Sequence, residues 1–134
     1  LICPGRSMGH FLGGENFFFF IVGKIYFDFD KWDIKPQAAK ILDELVAVMK
    51  KYPNMGIEIS AHTACRGGLD YNLELSHKRA KSTLDYVVSQ GIAPERLKSI
   101  GYGEMQPLNK CVREGICTEE EYDVNRRCEF KLLN

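Results

Sequence analysis

From Lys24 onward the apolar positions follow two periods. Ile25, Phe27 and Phe29 alternate with Tyr26, Asp28 and Asp30, a period of two that predicts a strand with the first set facing inward. Pro36 stands where the first turn of a helix tolerates a missing N–H. Ala38, Leu42, Leu45, Met49 and Tyr52 then recur at helical steps, with Ile41 and Val48 widening the stripe. This predicts an amphipathic helix that ends before Pro53. Ile57, Ile59 and Ala61 alternate with Glu58, Ser60 and His62, a second strand.

A polar turn from Thr63 to Asp70, with Gly67 and Gly68, leads into a second helix. Leu73, Ala80, Leu84, Val87 and Val88 are its expected apolar side, and Gly91 is a natural C-terminal cap. Pro94-Glu95-Arg96 opens a short turn, and a brief strand ends at Ile100-Gly101-Tyr102-Gly103. Thr118 with Glu121 three residues later is a capping box for a short helix. A final strand turns Cys128, Phe130 and Leu132 inward and Glu129 and Lys131 outward. The order is βαβαβ, then a short helix and a last strand. It predicts an α/β (α+β) two-layer sandwich, a mixed sheet with helices packed on one face. The expected domain covers residues 23–134. Residues 1–22 are read as an N-terminal tail or linker, in part of artificial origin.

The chain has 134 residues, with eighteen basic residues against eighteen acidic ones. A net charge of zero and the lack of a basic run give no field to gather nucleic acid. The longest apolar run, Phe17 to Val22, is far shorter than the roughly 20 residues that span a bilayer. Membrane association is expected only through parts outside this chain, with any leader removed or lying beyond it. Five cysteines favour an oxidising compartment. Cys111 and Cys117 bracket a loop with Gly115, and a disulfide is expected there. Cys65 and Cys128 can pair only if the fold joins them, and Cys3 is left over. His62 with Cys65 is too sparse a set for zinc, so no metal or other cofactor is expected. No histidine has a Ser or Cys and an orienting acid at catalytic spacing, so the chain is not read as an enzyme.

The informative stretch is Thr63-Ala64-Cys65-Arg66-Gly67, then Asn72, Leu75-Ser76 and Arg79-Ala80. It resembles the OmpA-like C-terminal domain, the peptidoglycan-binding module of outer-membrane proteins and lipoprotein anchors. That family's pattern is Thr-Asp-x-x-Gly, four residues, Asn, x-x-Leu-Ser, x-x-Arg-Ala, and every spacing is matched. Phe27-Asp28-Phe29-Asp30-Lys31-Trp32-Asp33-Ile34, Gly101-Tyr102-Gly103-Glu104 with Pro107, and Asn125-Arg126-Arg127 with Glu129 are similar to its other signatures. The resemblance runs over about residues 24 to 133.

The resemblance implies a non-catalytic clamp for diaminopimelate in the peptide stems of peptidoglycan, on the periplasmic side of the bacterial outer membrane. Diaminopimelate ends in a carboxylate and an ammonium on one carbon. Arg79 would hold the carboxylate bidentately, with backbone N–H groups of the Thr63–Gly67 turn as further donors. Taken alone, Arg79 would be a surface ion pair. Asn72 either contacts ligand or caps the turn, and Leu75 is core with an edge in the pocket. Asp30 and Trp32 are candidate pocket walls, Trp32 equally a packing residue. Of Arg126 and Arg127, one is expected to line the site, Arg126 being the choice, and the other to pair with an acid.

One position departs from the pattern. The family aspartate that meets the ligand ammonium is Ala64 here, which is expected to weaken binding; Asp30 or Asp70 is the alternative acid. The competing reading is an OmpA-like assembly or interaction domain that does not bind peptidoglycan. A third, from another class, is a metal- or thiol-dependent enzyme built on His62, Cys65 and the cysteine loop.

Overall fold

A computed structural model describes residues 23–133. The tail reading of residues 1–22, the Phe17 to Val22 run and Cys3 lie outside that range. The elements are β1 (Ile25–Tyr26), α1 (Pro36–Lys51), β2 (Gly56–Ala61), α2 (Leu69–Ser89), a 3-10 turn (Pro94–Arg96), β3 (Leu97–Gly101), α3 (Glu119–Asp123) and β4 (Arg127–Leu133). The sheet runs β1-β4-β2-β3. β4 is antiparallel to both β1 and β2, while β2 and β3 are parallel. This is the mixed α+β sandwich that the pattern predicts. The last strand in sequence is an inner strand of the sheet.

The core lies between one sheet face and the helices. Ile25, Ile57, Ile59, Ala61, Cys128 and Phe130 meet Ala38, Leu42, Leu45, Met49, Ala80 and Val87. Full burial of a Leu or Ile side chain contributes roughly 1.5–3 kcal/mol, so this cluster supplies the main folding drive. Pro36 sits in the first turn of α1, and Gly91 takes φ +106° just past α2, as its cap role requires. Thr118 and Glu121 complete their capping box, Glu121 N–H donating to Thr118 Oγ1 at 3.2 Å and Thr118 N–H to Glu121 Oε1 at 2.8 Å.

Tyr52, expected on the inward stripe of α1, lies just past its end and is 52% exposed, and two further expectations fail. The first strand stops at Tyr26, and Phe29, expected inside, is 56% exposed. The reason is register: Tyr26 faces Arg127, the first residue of β4, so little ladder is left beyond it. Phe27 N–H still reaches Arg126 O at 2.8 Å, after which Lys31 N–H closes a turn onto Asp28 O at 3.1 Å. The second failure is on α2. Leu73 is 42% exposed, while Asn72, Ser76, Arg79 and Thr83 are buried with Leu75, Ala80 and Val87.

That polar stripe has work to do. Ser76 Oγ donates to Leu73 O at 2.7 Å and accepts from Gly103 N–H at 2.9 Å. It thereby ties α2 to the bend after β3. Gly101 is needed for the same approach: a Cβ there would stand 2.4 Å from Ser76 Oγ and 2.6 Å from His77 N. Among the described residues no helix is long and apolar enough to cross a membrane.

Candidate functional site

β2 ends at Ala61, and the chain continues through His62, Thr63 and Ala64 into the glycine turn that starts α2. His62 N–H donates to Arg127 O at 2.8 Å and Thr63 N–H to Gly103 O at 2.9 Å, so this exit is pinned on both sides. Above it opens a cavity of about 230 Å³. Asp30, Thr63, Ala64, Asn72, Leu75, Arg79 and Arg126 all line it. Trp32 does not. Its ring, 42% exposed, lies under Lys78 Nζ at 4.4 Å, and its carbonyl accepts from Ser82 Oγ at 2.6 Å. Trp32 therefore packs along α2, the second of its two sequence readings.

Arg79 is the most deeply buried cation of the lining, with none of its surface exposed. Its Nε donates to Lys31 O at 2.8 Å, Nη1 to His62 O at 3.1 Å and Nη2 to Asp28 O at 3.0 Å. Its Cζ lies 5.1 Å from the Phe27 ring centroid. Burial lowers its pKa from 12.5 to about 10, the Arg126 cation adding to the fall and the Asp30 carboxylate opposing it. It stays charged at neutral pH. Among the described residues no carboxylate lies within ion-pair distance of it. The three carbonyls use three of the five guanidinium N–H groups, leaving donors for an incoming anion.

Arg126, 2% exposed, is compensated differently. It pairs with Glu119 at 2.8 Å and with Asp123, and lies 5.1 Å from the Phe29 ring centroid. Arg127 pairs with Glu129 at 2.9 Å and does not line the cavity. Thr63 is 3% exposed, and its Oγ1 has no hydrogen-bond partner among the described residues. A buried hydroxyl without a partner costs roughly 1–3 kcal/mol unless a ligand satisfies it. Asn72 gives its amide nitrogen to Glu104 Oε1 at 2.7 Å.

The wall also contains Phe29, Arg66, Gly67, Tyr71 and Glu114, which the sequence did not single out as side-chain contacts. Phe29 followed the strand alternation, so its position at the cavity was hidden. Tyr71, directly before Asn72 and 51% exposed, carried a signal in its apolar bulk on a polar helix face. Its hydroxyl donates to Asp30, which raises the Tyr71 pKa, and Asp30 takes φ +59°. Arg66 spans the rim, pairing with Glu119 and lying 3.8 Å from Glu114.

Cys111 and Cys117 form the expected disulfide, with Cα atoms 5.9 Å apart. Cys65 and Cys128 are both buried free thiols. Cys65 Sγ donates to Cys111 O at 3.3 Å, and burial raises its pKa. Cys128 lies 3.5 Å from Thr83 Oγ1, with a pKa pushed up to about 12 mainly by burial. His62 stacks on Tyr102 at 5.3 Å, and burial lowers its pKa to about 3. Neither Cys65 nor His62 is ionised at neutral pH. Among the described residues the one clustered ligand set is Cys111, Cys117 and Glu121, whose two sulfurs are already bonded to each other.

The OmpA family profile matches residues 26–115. The peptidoglycan-associated lipoprotein of Rhizobium meliloti is 40% identical over 100 residues, covering 74% of this chain and 57% of that protein. Outer membrane porin F of Pseudomonas fluorescens is 36% identical over 108 residues, covering 81% of this chain and 32% of the porin. The chain thus spans little more than half of the first relative and a third of the second. The crystal structure of the peptidoglycan-associated lipoprotein from Burkholderia pseudomallei superposes with a TM-score of 0.74 at 26% identity, over 82% of this chain and 89% of that one.

Proposed function

Since the chain belongs to the OmpA family, we propose that it binds peptidoglycan without catalysing any reaction, and that the cavity beneath Asp30 and Tyr71 holds a carboxylate of the peptide stem, that of diaminopimelate. One observation carries this reading. Among the described residues Arg79 is a fully buried cation with no carboxylate partner, on a cavity that also holds the unpartnered hydroxyl of Thr63. Both groups ask for the same thing, an acceptor with negative charge. A guanidinium meeting a carboxylate in a desolvated site forms the stronger, charge-assisted kind of hydrogen bond. Wall binding would place the domain in the periplasm and tether the outer membrane through segments beyond this chain.

Titration calorimetry with the tripeptide L-Ala-γ-D-Glu-meso-diaminopimelate tests this, with sedimentation on purified sacculi beside it. Thr63→Val removes the hydroxyl with little change of shape, and is expected to weaken binding about 3- to 10-fold, the equivalent of one hydrogen bond. Arg79→Lys keeps the charge but loses the planar fork, and is expected to weaken it at least about 10-fold. Native affinity in both folded variants would refute the reading. The assembly-domain alternative is favoured by Ala64 and by the exposed Leu69, Leu73 and Met105; it predicts no sedimentation with sacculi at all.

A further inference from the structure

The charges of the cavity are sorted by depth. Among the described residues its buried lining carries Arg79 and Arg126 beside Thr63, Ala64, Asn72 and Leu75, and no acid. The acids of the lining, Asp30 and Glu114, are both exposed. Asp30 is already engaged by the Tyr71 hydroxyl, and Glu114 stands beside Arg66. Glu119 and Asp123, which compensate Arg126, keep side chains 52% and 57% exposed. Ala64 presents a methyl group, 4% exposed, next to Thr63.

A ligand carboxylate entering this cavity therefore meets a cation at full depth. An ammonium finds no buried counter-charge among the described residues, the acids of the lining being the exposed Asp30 and Glu114. It must either lose its water without compensation or remain at the rim, where an ion pair contributes little. A neutral amide has a lower desolvation penalty than an ammonium, and its acyl carbon can rest on apolar wall such as Ala64 and Leu75.

We propose that this cavity recognises the stem through its carboxylate alone, and accepts diaminopimelate whether its side-chain amine is free or acylated, as it is within a wall cross-link. The proposal rests on the stem-peptide reading above and adds a ligand preference to it: the domain would hold mature, cross-linked wall as readily as uncross-linked stems.

The experiment compares two probes, the tripeptide above and the same tripeptide N-acetylated on its side-chain amine, titrated against the native chain and against Ala64→Asp and Ala64→Asn. The native chain is expected to bind both probes within about 3-fold of each other. Ala64→Asp is expected to favour the free amine by at least about 10-fold, whereas the neutral Ala64→Asn leaves the ratio near one. A native preference for the free amine of about 10-fold or more overturns this proposal and leaves the stem-peptide reading intact. Binding of neither probe by the native chain or by Ala64→Asp overturns both. The native ratio decides the question even if a variant fails to fold.

Discussion

Replacing Arg79 tests whether this side chain is a brace as well as a ligand group. Its three hydrogen bonds join the turn after β1, through Asp28 and Lys31, to the exit of β2 at His62. Arg79→Ala deletes all three, taking this donor from the Lys31 and His62 carbonyls and leaving Asp28 O with the Lys31 N–H, around a void beside Phe27. A hydrogen bond to a charged group contributes roughly 1.5–3 kcal/mol, so a simple sum approaches about 5–9 kcal/mol. Removing the buried cation also removes its desolvation penalty, which brings the expected loss to about 3–5 kcal/mol, the range for breaking a buried charged contact. For a domain near 100 residues this corresponds to a fall in Tm of more than about 10 °C. Arg79→Met, which keeps the aliphatic volume, should lose less than Arg79→Ala by about 1–2 kcal/mol, because the cavity part of the penalty disappears. Urea unfolding followed by circular dichroism measures both. A loss below about 1 kcal/mol for Arg79→Ala would refute the argument that the carbonyls depend on this guanidinium.

Three further outcomes are expected. Gly101→Ala should cost at least about 1–3 kcal/mol, because the new methyl meets backbone of α2, while Gly68→Ala, with nothing within 4 Å, should change urea stability little. Opening the Cys111–Cys117 bridge by double serine substitution should cost about 2–3 kcal/mol on the chain-entropy account of a short loop; mass mapping under non-reducing conditions that finds both thiols free would contradict the bridge itself. His62 is held neutral down to about pH 3 when folded but takes a proton near 6.5 when unfolded. The unfolded chain thus binds the extra proton between those values, so stability is fully present above about pH 6.5 and falls towards pH 3 by up to about 1.4 kcal/mol per unit. His62→Phe should flatten that slope in urea titrations at stepped pH.

Much of this fold was legible because the core obeys simple periods. Ala38, Leu42, Leu45 and Met49 are buried as their spacing requires, and so are Ile57, Ile59 and Ala61. The cap residues Gly91 and Thr118 took their expected places. What misled was burial without hydrophobicity. The inward face of α2 is half polar because the loops beside it offer backbone groups that only side chains can satisfy, as Ser76 does for Gly103 and Arg79 for three carbonyls. Phe29 misled in the opposite sense, an apolar residue continuing a strand alternation where the partner strand has already begun its turn away. Motif spacing brought Thr63, Asn72, Leu75 and Arg79 to one cavity, since they lie on one strand exit and one helix face. Arg66 and Glu114 join through tertiary approach of separate loops, and Tyr71, in the first turn of α2, through its bond to Asp30 of another loop; no local period encodes either.

The position of β4 has a consequence for how the chain reaches this state. Ile25 pairs with Cys128 and Ala61 with Cys128 on the other side, so one late segment joins both halves of the sheet. Until residues 127–133 are available, β1 has no partner and one edge of β2 is open. Contacts of such long sequence separation close slowly. A chain emerging from a ribosome cannot finish this sheet early; it stays open, and in need of protection from neighbouring chains, until β4 slides between two already waiting strands.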